Sequence, residues 1–106
     1  MADLIIKRLE SAEKYLRLLS PGEQTQKMKA GLVILAPGEE IGEHSTEARE
    51  EALVILSGQA EISCAGSPAQ AVSADSLVYI PAQTKHNVRN AGKQTLKYVF
   101  IVTPAP

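Results

Sequence analysis

The chain holds two histidines, His44 and His86, and twelve acidic side chains. Neutral imidazoles together with a carboxylate suit divalent iron, and also manganese, nickel or zinc, with positions left for water or a small molecule. His44 and Thr46 stand two residues apart, so on a strand they share a face. Glu51 heads the run Glu51-Ala52-Leu53-Val54-Ile55, where Glu51, Leu53 and Ile55 share one side. A carboxylate at the head of an apolar inward face is costly unless a cation or another paired group meets it. His86, Val88 and Asn90 share a face of a third segment, so His86 can also look inward. His44, Glu51 and His86 are therefore the candidate metal ligands. Their types alone do not single out this triple; the spacing does.

The elements that must position these groups read as short β runs between turn signals. The apolar runs are 4–7, 15–20, 27–38, 52–56, 59–65, 76–81, 86–90 and 95–103. Ser20-Pro21-Gly22, Pro37-Gly38, Ser57-Gly58, Gly66-Ser67-Pro68 and Asn90-Ala91-Gly92 punctuate them. Residues 10–19 also admit one or two helical turns, since Ala12, Leu16 and Leu19 have helical spacing. Several short strands at regular spacing predict an all-β sandwich or barrel. The segments 52–56 and 98–102 are apolar on both faces and need cover on both sides. A barrel interior covers one face; a second copy covering the other predicts a homodimer.

The spacing resembles the two signature motifs of the cupin superfamily, of the small conserved-barrel type. The first motif is G(X)5HXH(X)3–4E(X)6G, and Gly38, His44, Thr46, Glu51 and Gly58 follow it, with Thr46 in place of the second His. The second is G(X)5PXG(X)2H(X)3N, and Asp75, Pro81, Gln83, His86 and Asn90 follow it, with Asp75 and Gln83 in place of the glycines. The resemblance implies a cupin-type double-stranded β-helix, a jelly-roll barrel, over residues 28–103. The whole chain, 1–106, is then a single domain, with residues 1–27 supplying N-terminal strands at a dimer interface. It also implies His44, Glu51 and His86 as ligands of a divalent iron, manganese, nickel or zinc ion. Thr46 stands at the position of the missing fourth ligand. A Thr hydroxyl is a poor ligand for such a metal and is expected to hydrogen-bond a water in that place.

The neighbours of these residues carry plainer expectations. Spacing to Gly58 selects Glu51 over Glu50, which is expected outside, solvated or paired with Arg49 or Lys85. Glu39, Glu40, Glu43 and Glu47 read as a solvated acidic loop. Cys64 reads as a small core residue, and Tyr79 and Tyr98 as packing residues. Asn90 is expected to bond backbone at a turn, and Gly38 and Gly58 to sit at positive φ. No separate general base is evident, with Lys85, Gln83 and Tyr79 the only candidates.

Composition narrows the function. A net charge of −1 gives no electrostatic footprint for nucleic acid or an acidic membrane. No apolar run is long enough to span a bilayer, and the start does not read as a signal peptide. A single cysteine excludes an intrachain disulfide and predicts a cytoplasmic setting. The partners expected are a small-molecule ligand and a second copy of the chain. Two readings of function follow. One is a metal-dependent enzyme of dioxygenase or isomerase type acting on a small oxygenated metabolite. The other is a non-catalytic small-molecule or metal-binding sensor module.

Overall fold

A computed structural model describes residues 3–106, and among them there is no helix. The strands are β1 (Tyr15–Leu19), β2 (Lys29–Leu35), β3 (His44–Ser45), β4 (Arg49–Ser57), β5 (Gln59–Cys64), β6 (Gln70–Ser73), β7 (Ser76–Ile80), β8 (Lys85–Asn90) and β9 (Leu96–Pro104). A five-stranded sheet has the order β1-β2-β9-β4-β7, and a four-stranded sheet the order β3-β8-β5-β6. Every strand pair is antiparallel. Strands distant in sequence lie side by side, β9 between β2 and β4 and β8 between β3 and β5, which is the connectivity of a jelly roll.

The two sheets close on one apolar core. Val33 and Leu35 of β2, Leu53 and Ile55 of β4, Ile80 of β7, and Leu96 and Tyr98 of β9 face Ala60 and Ile62 of β5 and Val88 of β8. These are alternate residues of each strand, as a period of two requires. The opposite face of the five-stranded sheet is apolar as well. Leu18, Ala30 and Leu32 form a second cluster there, with Leu16, Ile34, Leu56, Val99 and Ile101 packed against it. On β7, at the edge of that sheet, Leu77 and Tyr79 are exposed.

Several turns need backbone that side chains rarely adopt. Gly58 joins β4 to β5 at φ +82°, and a Cβ there would lie 2.5 Å from the Thr95 carbonyl oxygen. Only glycine fits both the angle and the space. Asp75 and Gln83, which replace the motif glycines, keep left-handed backbone at φ 65° and 56°. The turn geometry is retained without the glycine.

The N-terminal stretch departs from expectation. Residues 4–7 form no strand, and Leu4 and Ile6 are exposed. Residues 15–19 form a strand rather than helical turns, because Tyr15, Leu16, Arg17 and Leu19 pair with β2. Met1 and Ala2 lie outside the described residues.

Candidate metal centre

Three separate elements bring the predicted ligands to one end of the barrel. β3 carries His44, the start of β4 carries Glu51, and β8 carries His86. His44 pairs directly with His86 across the β3–β8 ladder, and their rings lie 4.3 Å apart, tilted by 59°. Glu51 comes from the opposing sheet, and its Oε1 lies 3.0 Å from Nε2 of His86. One ligand atom from each of the three residues lies within 4.8 Å of the others. His86 and Glu51 are buried, whereas His44 is exposed at the rim.

The ring nitrogens are oriented by backbone. Nδ1 of His86 lies 3.0 Å from the Thr84 carbonyl, and Nδ1 of His44 lies 2.9 Å from the Gly42 carbonyl. A carbonyl only accepts, so each Nδ1 carries a proton. A neutral imidazole then offers its Nε2 lone pair to a metal, and a protonated His86 donates from Nε2 to Glu51. Backbone carbonyls hold metal-binding imidazoles in this tautomer in many sites. The donor set fits a divalent transition metal: two imidazole nitrogens, one carboxylate, and a cavity beside them for further ligands.

Electrostatics agree with a site that wants a positive charge. Burial alone lowers the pKa of His86, but the hydrogen bond to Glu51, the Thr84 carbonyl and the Glu51 charge together move it up. Protonated at Nε2, His86 donates to the Glu51 carboxylate and pairs with it. Tyr98 lines the same cavity, and burial, then the Glu51 charge, hold its hydroxyl well above the usual tyrosine range.

Thr46 lines the cavity beside His44, but its hydroxyl is already engaged. It donates to the Pro81 carbonyl at 2.7 Å and accepts from the Thr84 amide at 3.0 Å. The Thr46 amide in turn donates to the Thr84 carbonyl, and the Gln83 amide to the Glu47 carbonyl. These bonds stitch the loop before β4 to the loop before β8. Glu51 and His86 hang from those two loops, so Thr46 braces the site. With its proton committed to Pro81, the hydroxyl could meet a water only as an acceptor, through its remaining lone pair.

Other predicted residues fall elsewhere. Glu50 lies on the outer side and accepts a 2.7 Å hydrogen bond from Tyr79, rather than pairing with Arg49 or Lys85. That bond, foremost, raises the Tyr79 pKa. Lys85, Gln83 and Tyr79 do not line the cavity, so none is placed to act as its base. Glu39, Glu40, Glu43 and Glu47 are exposed and also stay outside it. Asn90 is fully buried and donates through Nδ2 to the Leu35 and Gln94 carbonyls, while its Oδ1 accepts from the Gly92 amide. Cys64 is half-buried and lines a separate hollow with Ile62 and Ile80.

The cavity itself measures about 240 Å³. Lys29, Arg49, Tyr15 and Phe100 line it, and sequence reasoning had not placed them there. The signal was available as parity. Lys29 is in step with Val33 and Leu35, and Arg49 with Glu51, Leu53 and Ile55, so both stand at inward positions. No helix among the described residues is long and apolar enough to cross a membrane.

Known proteins share this architecture. A cupin of RmlC-like type from Methanocaldococcus jannaschii superposes with a TM-score of 0.80 at 18% identity, covering 98% of this chain and 95% of that one. A predicted oxalate decarboxylase from Thermotoga maritima superposes with a TM-score of 0.78 at 22% identity, covering 85% of this chain and 78% of that one. At such identities the likeness is one of fold. In sequence, 74 residues are 34% identical to polyketide synthase CurC of Streptomyces cyaneus, over 70% of this chain and 47% of that protein. The chain thus spans about half the length of this curated relative. The Cupin domain family matches residues 31–102, a stretch that includes both motifs in full and the whole four-stranded sheet. With the double-stranded β-helix and the motif residues in place, the chain belongs to the Cupin domain family.

Proposed function

We propose that the protein binds a divalent metal through His44, Glu51 and His86, and uses it to hold a small oxygenated molecule in the barrel mouth. The observation that carries this reading is the pair of carbonyl-held imidazoles facing a buried carboxylate. When bound, iron, manganese, nickel or zinc would supply Lewis-acid polarisation of ligand oxygens, or dioxygen chemistry in the case of iron. The chain's own residues do the rest. Backbone carbonyls fix the imidazole tautomers, Thr46 holds the two loops together, and the walls of Tyr98, Phe100 and Val102 exclude water from one side.

Dioxygenase and isomerase chemistries both fit this layout. The likeness to a protein named polyketide synthase supports an oxygenated carbon skeleton as substrate. A non-catalytic binding or sensor module is the second reading, favoured by the absence of Lys85, Gln83 and Tyr79 from the cavity. The test is elemental analysis of purified protein, followed by thermal shift with iron, manganese, nickel and zinc. Retained metal and a rise in melting temperature are expected, since a ligand bound only by the folded state stabilises it. Absence of both ends this reading. Oxygen uptake or substrate turnover by the loaded protein then separates enzyme from sensor.

The chain works as a homodimer in a cytoplasmic setting. Support for the dimer is the pair Leu77 and Tyr79, large side chains exposed on β7 at the edge of the five-stranded sheet. Sedimentation equilibrium checks it: twice the 11.4 kDa chain mass is expected, and a monomer at tens of micromolar contradicts it. The single free cysteine supports the reducing compartment, and cell fractionation tests that placement.

A further inference from the structure

The cavity does not end at the triad. Lys29 on β2 and Arg49, two residues before Glu51 on β4, line it as well, and both also line an adjoining hollow of about 310 Å³ together with Lys27. No carboxylate lines that hollow. Among the described residues the ion pairs are Arg8–Glu10, His86–Glu51 and Arg89–Glu61, so none of these three cations has an acidic partner. The chain carries twelve acids against eleven Lys and Arg residues. Three unpaired cations gathered at one mouth are therefore not the by-product of a basic protein. Like charges held together repel, and a bound anion relieves that repulsion.

The strand register sets the distance from this patch to the triad. Lys29 pairs with Val102, and Val102 pairs with Glu51, so Lys29 and Glu51 occupy one inward row. They stand two strands apart, about 10 Å at the usual strand spacing. The next row supplies a flat floor. Gly31 has no side chain there, and a Cβ would overlap the Phe100 ring and approach Tyr15 Cε1 to 2.9 Å. The absence of that Cβ lets Phe100 stack on Tyr15, with ring centroids 5.9 Å apart and planes within 20°. Lys29 Nζ sits 5.9 Å from the centre of the Phe100 ring. A planar body lying on this floor would reach the triad at one end and Lys29 at the other, with Arg49 at the rim between them. The cavity is smaller than the roughly 300–1,000 Å³ of sites for drug-sized ligands, so one ring with a short tail is the right scale.

We propose that the mouth selects a planar organic carboxylate: its oxygenated end faces His44, Glu51 and His86, and its carboxylate lies between Lys29 and Arg49, with Lys27 at the outer edge. The oxygenated end rests on the metal reading above; the charge recognition does not. A carboxylate is preferred to a bulkier anion because it continues the plane of a ring lying on Phe100 and matches the fork of Arg49.

The probe pair is 4-hydroxycinnamate and its neutral amide, titrated calorimetrically into the full chain, zinc-loaded and after chelation. The carboxylate should bind at least about tenfold more tightly than the amide, the scale of one charge-assisted contact. Lys29→Gln and Arg49→Gln should each remove most of that preference. They should leave zinc content unchanged, which also shows that the variants are folded. Equal binding of the two probes, failure of both to bind, or full preference retained in both variants overturns the proposal. Zinc uptake without charge preference sinks this proposal alone; charge preference without zinc uptake sinks the metal reading alone.

Discussion

The inward faces of β2, β4 and β9 follow one alternation from end to end, yet the two ends of the barrel are filled differently. At the closed end Leu35, Ile55, Leu96 and Ala60 are fully buried against one another. At the mouth the same parity places Lys29, Arg49 and Glu51 around a cavity. Apolar side chains at the first end contribute the burial that makes the barrel stable. Polar side chains at the second give up that burial and are tolerated because the loops and cavity keep them paired or wet. A β-barrel thus separates its stability from its chemistry along the strand axis, and the place where an inward row stops being apolar is where the site begins.

The comparison can be broken first at the closed end. Ile55→Ala removes a fully buried side chain that does not line the cavity and should cost about 2–5 kcal/mol. Denaturant unfolding measures it, and metal content per folded chain should not change. A loss of metal with little loss of stability would mean the two ends are not separate.

The boundary between the two ends is Thr46. Thr46→Ala leaves the Pro81 carbonyl and the Thr84 amide without their partner, which should cost about 1–3 kcal/mol. The same variant should weaken metal binding, because Glu51 and His86 hang from the loops it joins. Thr46→His, which restores the usual cupin ligand, should lose the same brace. Calorimetric titration of both variants separates bracing from ligation: tighter metal in Thr46→His, with unchanged stability, would contradict the bracing role.

The smallest effect is a slope with pH, and it reverses on loading. In the metal-free protein the His86 pKa is raised above its ordinary 6.5. The stabilisation from the protonated pair is fully present below 6.5 and is lost as pH rises through the folded-state value. Metal requires the neutral imidazole, so its affinity should fall as pH drops through that same range. Melting temperatures between pH 5.5 and about 8.5 should therefore fall for the metal-free protein relative to His86→Gln, and rise for the loaded protein relative to the metal-free one. Parallel slopes would show that His86 is not the group metal and proton compete for.

Much of this was legible in the residues. The two motifs carry the barrel because their spacing sets turn, strand and turn at fixed distances, and Gly58 shows why one glycine is obligatory. His44, Glu51 and His86 stood out because imidazoles and an acid sat on strand-like segments at inward parity. What escaped the reading had physical reasons. β3 is two residues long, and β6, Gln70-Ala71-Val72-Ser73, has only two apolar residues and lies at a sheet edge, so neither shows an apolar run. The apolar run 4–7 looks like a strand but has no partner strand within the described chain. Lys29 and Arg49 read as surface cations by type, and only their register reveals the direction they face. Thr46 read as a gap in a ligand set because its partners, Pro81 and Thr84, are backbone groups of a loop distant in sequence.

The most direct test of the central claim is a metal titration of the chelated chain, followed calorimetrically, beside His86→Ala. The wild-type protein should take up one divalent ion per chain and His86→Ala none, with both still folded by circular dichroism. No uptake by the wild-type protein, or equal uptake by the variant, would contradict the assignment of His44, Glu51 and His86 as a metal site.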